Sequence, residues 1–162
     1  MGRRRQAREL AMQALYFLDA RAGDPEEALA LFHRNFTPPR KARVFMDQLV
    51  QGVATRRAAI DDIIEQYSEN WKVFRMPRVD RNVIRMAVFE MFWQADIPSS
   101  VSINEAIDLG KKYGTDESGA FINGILDRIR KALENGEIEK PPCGADDLPG
   151  KQAREHIPGG SR

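Results

Sequence analysis

Four arginines and a tyrosine at the amino end are the residues best suited to chemistry in this 162-residue chain. Arg3, Arg4, Arg5 and Arg8 precede Tyr16 within GRRRQARELAMQALYFLDA. At ~100° per residue, Ala7, Leu10, Ala11, Ala14, Leu15 and Leu18 share one helix face. Arg5, Arg8, Met12 and Tyr16 point away from it, with Arg5 and Tyr16 about 20° apart on the wheel. Guanidinium groups neutralise phosphates, and a ring stacks on an unpaired base. The pattern predicts binding of a single-stranded nucleic acid. A merely solvated arginine-rich start is the alternative.

Covalent chemistry has little to work with. The only histidines are His33 and His156, one in a short surface helix and one near the end of the chain, so neither a His-based dyad nor a metal site is expected. There is no Walker A loop, no G-x-G-x-x-G and no Cys/His cluster, so no cofactor is expected. Asp61-Asp62 and Asp146-Asp147 are adjacent pairs, which do not converge on one point. A single cysteine, Cys143, rules out an intramolecular disulfide. With a net charge of +1, any affinity for nucleic acid must come from local patches. No apolar run approaches the ~20 residues that span a bilayer, and Glu9, Gln13 and Asp19 interrupt any signal-like core. A cytoplasmic binding protein, not an enzyme, is expected.

The elements that must position these residues are helical; no strand-like alternation is convincing. A first helix covers roughly 4–21. Asp24-Pro25-Glu26-Glu27 starts a short second one, with Asp24 as N-cap and Pro25 in the first turn. A third helical region runs over about 40–67, where Phe45, Leu49, Val53, Ile60, Ile63 and Ile64 form the stripe and Gly52 permits close packing or a bend. Residues 68–77 break the pattern and contain Trp71 and Phe74. Asp80 is read as the N-cap of DRNVIRMAVFEMFWQ, a helix apolar over more than half its circumference and so expected at the centre of an all-α domain. A further helix starts at Ser100 or Ser102 and closes at Gly114 as a C′ glycine. Asp116 then caps ESGAFINGILDRIRKALE. Residues 136–162, rich in Pro, Gly and charge, read as a disordered tail behind a 1–135 domain.

Two further segments invite chemistry. Arg85 and Glu90 interrupt the most apolar helix, so an internal ion-pair network with neighbouring helices is expected, Glu105 among the candidates. In FINGILD, Gly124 costs ~1 kcal/mol in a helix and suggests a close helix contact. Spacing alone favours a core position for Phe121 over an exposed one at the helix start.

RRQARELAMQALY, DRNVIRMAVFEM, IPSSVSINEAIDLGKKYG and FINGILD occur in that order over about residues 3–130. Together they resemble the NusB family of bacterial transcription antitermination factors. The resemblance implies about seven helices in two packed bundles forming one compact domain, and no catalysis. It implies boxA-type single-stranded RNA as ligand, the small-subunit ribosomal protein NusE as partner, and action within an RNA polymerase antitermination complex that supports transcription of ribosomal RNA operons. Relatives occur as monomers and as homodimers. Carried over residue by residue, Arg4, Arg5 and Arg8 match the basic stretch and Tyr16 its closing aromatic. Phe121 matches a Phe that lies beside the RNA, against the spacing argument. Asp80 and Glu117 match acidic positions near the partner surface. Gln6 and Gly119-Ala120 depart from the pattern, where basic residues are common, and the tail has no counterpart in short relatives.

Two rivals are weaker. An RNA cytosine methyltransferase fragment would need a following cofactor domain. A helix-turn-helix reader would need a polar recognition helix, and 80–94 is too apolar.

Overall fold

The computed structural model describes residues 2–21, 23–36 and 38–140. Seven α-helices account for most of them: α1 Arg3–Asp19, α2 Pro25–Asn35, α3 Arg40–Thr55, α4 Arg57–Tyr67, α5 Arg78–Trp93, α6 Ser99–Tyr113 and α7 Ser118–Glu134, with a 3-10 turn at Val73–Arg75. The first three pack together, the last four pack together, and α5 joins the groups by touching α1 and α3 as well as α4, α6 and α7. This is the expected all-α pair of bundles.

The central position of α5 follows from its composition. Val83, Ile84, Met86, Ala87, Val88 and Met91 are all buried, so no face is left for water. Ala7, Ala11 and Ala14 give α1 a low-profile face, which lets it lie against α3 and α5. Gly52 serves close packing and not a bend: a Cβ there would strike the Phe89 ring. The bend comes four residues later. Arg56 leaves helical geometry at φ −114° and ψ 15°, so the expected single 40–67 helix is two helices, α3 against α1 and α4 against α5 and α7.

Helix ends obey the local rules unevenly. Asp24 caps α2 as expected, its carboxylate accepting from Glu26 N at 3.1 Å behind Pro25. Asp80 is not a cap. Pro77 holds that position, and α5 starts two residues before Asp80, which is carried into the first turn and buried. The N-cap of α7 is Glu117 rather than Asp116. Gly114 is not a left-handed C′ glycine, since its φ is −95°; it is needed for space, because a Cβ would meet the Ser118 hydroxyl. Gly124 has no helix pressed on it. The tight α6–α7 approach is at Gly110, under the Ile122 side chain, and at Gly119, where a Cβ would come within 3.2 Å of the Lys111 side chain.

After α7, Gly136 takes φ +72°, a conformation that favours glycine, and turns the chain back. Glu137 N then donates to Ala132 O at 3.0 Å, and Ile138 rests on the core. Contact with the domain therefore continues past residue 135. The remainder of the expected tail, 141–162, with Cys143, Asp146, Asp147 and His156, lies outside the described residues.

Candidate nucleic-acid interface

The three carried-over arginines of α1 meet three different fates. Arg8 is 3% exposed. Its Nε donates to both Glu90 carboxylate oxygens at 3.1 Å, its Nη2 donates to Oε1 at 2.6 Å, and Ser102 Oγ donates to the same carboxylate at 3.4 Å. The expectation that Arg8 and Met12 face outward is corrected. The alanine face of α1 is so slim that its flanks are covered too, and a guanidinium drawn inside must meet an anion. Arg8 is thus the answer to the lone Glu90 of α5.

Arg4 and Arg5 stay at the surface. Arg4 Nη2 donates to Asp96 at 3.0 Å, and the Arg4 guanidinium carbon lies 5.0 Å from the centre of the Phe45 ring. Arg5 bridges Glu105 and Asp108, each at 3.1 Å. Glu105 therefore serves Arg5 and not the charges of α5. These pairs are solvent-exposed, where an ion pair is worth only ~0–1 kcal/mol. A phosphate can displace the carboxylates at small cost.

The internal network expected for Arg85 exists with other partners. Arg85 makes a two-pronged bond to Asp61, Nε at 2.8 Å and Nη2 at 3.0 Å, and lies 3.5 Å from Asp19. Asp19 also accepts from Arg81 at 2.6 Å and Asn82 at 3.0 Å. Burial pushes the Asp19 carboxyl up. The hydrogen bonds from Arg81 and Asn82 and the Arg85 charge outweigh that and hold it below the usual carboxylate range. This clamp ties the end of α1 to the start of α5.

Tyr16, one turn before Asp19, is 42% exposed. The Arg78 guanidinium sits 5.4 Å from its ring centre. An exposed ring beside a cation is suited to a base and its phosphate. Phe121 is half-buried at the start of α7, packed against the core on one side and edge-on to Trp71 on the other, with ring centres 5.7 Å apart. Its position lies between the two sequence readings, core and surface.

The two acids carried over for the partner surface also separate. Glu117 is exposed at the N-cap of α7. Asp80 is buried, so it does not present its carboxylate at a surface. Burial raises its pKa above the ordinary value, and a hydrogen bond from Ser118, the first residue of α7, pulls it partly back. Asp80 touches the beginning of α7 from inside while Glu117 faces out next to it.

Arg78, Trp71, Phe74 and Arg75 are surface residues that the motifs did not single out. The available signal was two large aromatics in a segment with no apolar period. Among the described residues there is no group of three or more His, Cys, Asp or Glu placed to hold a metal, and His33 pairs with Asp47 at 2.9 Å. No helix among them is long and apolar enough to cross a membrane.

The NusB family model matches residues 5–131. The transcription antitermination protein NusB of Desulforapulum autotrophicum is 57% identical over 143 residues, covering 86% of this chain and all of that protein. That of Anaeromyxobacter dehalogenans is 50% identical over 132 residues, covering 81% of this chain and 92% of that protein. T. maritima NusB superposes with a TM-score of 0.72 at 39% identity, covering 83% of this chain and 97% of that one. A crystal structure of antitermination factors NusB and NusE in complex with dsRNA gives 0.72 at 30% identity, covering 80% and 97%. With its helix order, its central α5 and its four motifs in place, this chain belongs to the NusB family of transcription antitermination proteins.

Proposed function

We propose that this chain binds boxA-type single-stranded RNA together with the ribosomal protein NusE, and so marks nascent RNA for an antitermination complex on RNA polymerase. The observation that carries the reading is Tyr16 with Arg78: an exposed ring with a guanidinium 5.4 Å from its centre, on the helix that also carries Arg4 and Arg5. Tyr16 and Phe121 stack on bases. Arg4, Arg5 and Arg78 take phosphates. Arg8 positions α1 through Glu90 and touches no RNA. Glu117 faces the partner, and Asp80 supports the start of α7 behind it. Ribosomal proteins are generally basic, so an exposed acid at that point offers charge complementarity. The likeness to antitermination factors NusB and NusE in complex with dsRNA supports RNA and NusE as ligands here, and the preference for single strands rests on the exposed rings.

Stacking requires unpaired bases, so boxA single strands should bind more tightly than duplex RNA or duplex DNA of the same sequence. Three phosphate contacts give a log–log salt slope of about −2. The test is a two-way titration of labelled boxA RNA and NusE. NusE should tighten RNA binding, and RNA should tighten NusE binding by the same factor. Glu117→Lys should weaken NusE binding more than RNA binding. Equal affinity for single strands and duplexes would replace stacking by backbone binding. Unchanged RNA affinity on adding NusE would remove the adaptor mechanism.

A further inference from the structure

The segment between α4 and α5 exposes two large rings that neither the core nor the family motifs account for. Trp71 is 50% exposed and Phe74 is 69% exposed. The backbone that carries them is fixed. Ser68 Oγ donates to Trp71 O at 2.6 Å, Val73 N donates to the Glu65 carboxylate at 3.1 Å, and Arg81 Nη1 donates to Phe74 O at 3.0 Å. Arg128 braces the approach by donating to Tyr67 O at 2.7 Å. A backbone already in place lowers the ordering cost when a ligand covers the rings.

Cations are interleaved with these rings. Arg75 lies 5.6 Å from the Phe74 ring centre, and Arg78 lies 5.4 Å from that of Tyr16. Neither pairs with a carboxylate among the described residues, whereas Arg4, Arg5 and Arg8 all do. The segment is also continuous with both ends of the surface already described. Arg78 meets Tyr16 on one side, and Trp71 meets Phe121 on the other.

We propose that Trp71 and Phe74 are base-stacking platforms and Arg75 and Arg78 phosphate ligands, on a strip along which RNA passes between Tyr16 and Phe121. The inference rests on the RNA-binding reading above, in which Arg78 already takes a phosphate, and extends it to Trp71, Phe74 and Arg75, the last of which adds a fourth phosphate contact. Rings alternating with guanidinium groups that no carboxylate of the described residues neutralises suit a single strand, which offers a π-face and a charge at every nucleotide. A protein partner is the competing occupant. It would cover the rings without needing the two guanidinium groups.

Trp71 is its own reporter. In W93F it is the only tryptophan left, since the chain has two. Titrating W93F with single-stranded boxA RNA should change Trp71 emission with the same midpoint as binding measured by anisotropy. W71A/F74A should lose about ten-fold or more in RNA affinity, while W71F retains most of it. R75A/R78A should make the salt slope shallower by about 1.4, from ~0.7 per lost contact. Tight RNA binding with silent Trp71 emission and full affinity in W71A/F74A would overturn the strip and leave the RNA-binding reading intact. Absence of RNA binding by the unmodified chain would remove both. Intact RNA affinity with altered NusE affinity or self-association in W71A/F74A would assign the strip to a protein and overturn the proposal.

Discussion

On α1, Arg4, Arg5 and Arg8 each face a carboxylate; on the 71–78 segment, Arg75 and Arg78 face aromatic rings. The first group dominates the sequence, because consecutive arginines are conspicuous. The second is dispersed among Lys72, Val73, Met76 and Pro77 and passes unnoticed. Yet one third of the carried-over arginines is structural, and the exposed remainder must exchange an existing ion pair for a phosphate. Arg75 and Arg78 have no such pair to give up among the described residues. A count of positive residues is a poor measure of available positive charge. What matters is whether an anion of the same chain already occupies the site.

The sharpest way to break this contrast is to truncate one arginine from each group. Arg8→Ala leaves Glu90, 1% exposed, without its cation, and should cost about 3–5 kcal/mol of stability in urea or thermal melts. Arg78→Ala should leave the melt within about 0.5 kcal/mol and weaken RNA binding. A stable Arg8→Ala variant with lost RNA affinity would return Arg8 to the binding surface.

The aromatic residues give the next largest effect. Tyr16→Ala and Phe121→Ala should each cost about 1–3 kcal/mol in RNA binding. Phe121 is only half-buried, so its truncation should cost less stability than the ~3–5 kcal/mol of a core phenylalanine. A full core-sized loss would settle its place in favour of packing.

Smaller still is the Arg4 and Arg5 contribution. Arg5→Ala should change stability by no more than about 1 kcal/mol, because its pairs are exposed. It should make the salt slope of RNA binding shallower by about 0.7. An unchanged slope would mean that Glu105 and Asp108 keep Arg5 from phosphate.

The pH dependence separates Asp19 and Asp80 by sign. The folded Asp19 lies below the ordinary carboxylate value of about 3.9. The stability it contributes is complete above that value and is lost as pH falls through its folded pKa. Asp80 is shifted upward. Its ionised form costs stability as pH rises from the ordinary value through its folded pKa. Urea melts across about pH 3–7 should show a flatter acid limb for Asp19→Asn. Asp80→Asn should gain stability at neutral pH relative to acid. Parallel profiles for both variants would contradict the opposite shifts.

Much of the fold was legible in one dimension because helix periodicity and caps are local. The apolar circumference of 83–92 placed α5 at the centre, Asp24-Pro25 started α2, and Gly52 marked a close approach. The misreadings lie where a neighbour decides. No local rule separates α3 from α4 at Arg56, or prefers Pro77 over Asp80 as cap. A helical wheel likewise cannot show how much of α1 its neighbours cover, and so it turns Arg8 and Met12 toward water although both are buried.

The order of residues by itself determined the helical class, the central helix, the family through four motifs, and the need of Arg85 and Glu90 for opposite charges. It could not determine which charges would answer. Arg8 stands 82 residues from Glu90, and Arg85 stands 24 from Asp61. Such pairs form only when helices cross, because electrostatic demand has no direction along the chain. The tertiary structure also decided which neighbours each surface cation meets among the described residues, by setting acids beside Arg4 and Arg5 and rings beside Arg75 and Arg78. Helical propensity acts over a few residues, whereas burial and charge pairing are settled only once the faces of different helices have met.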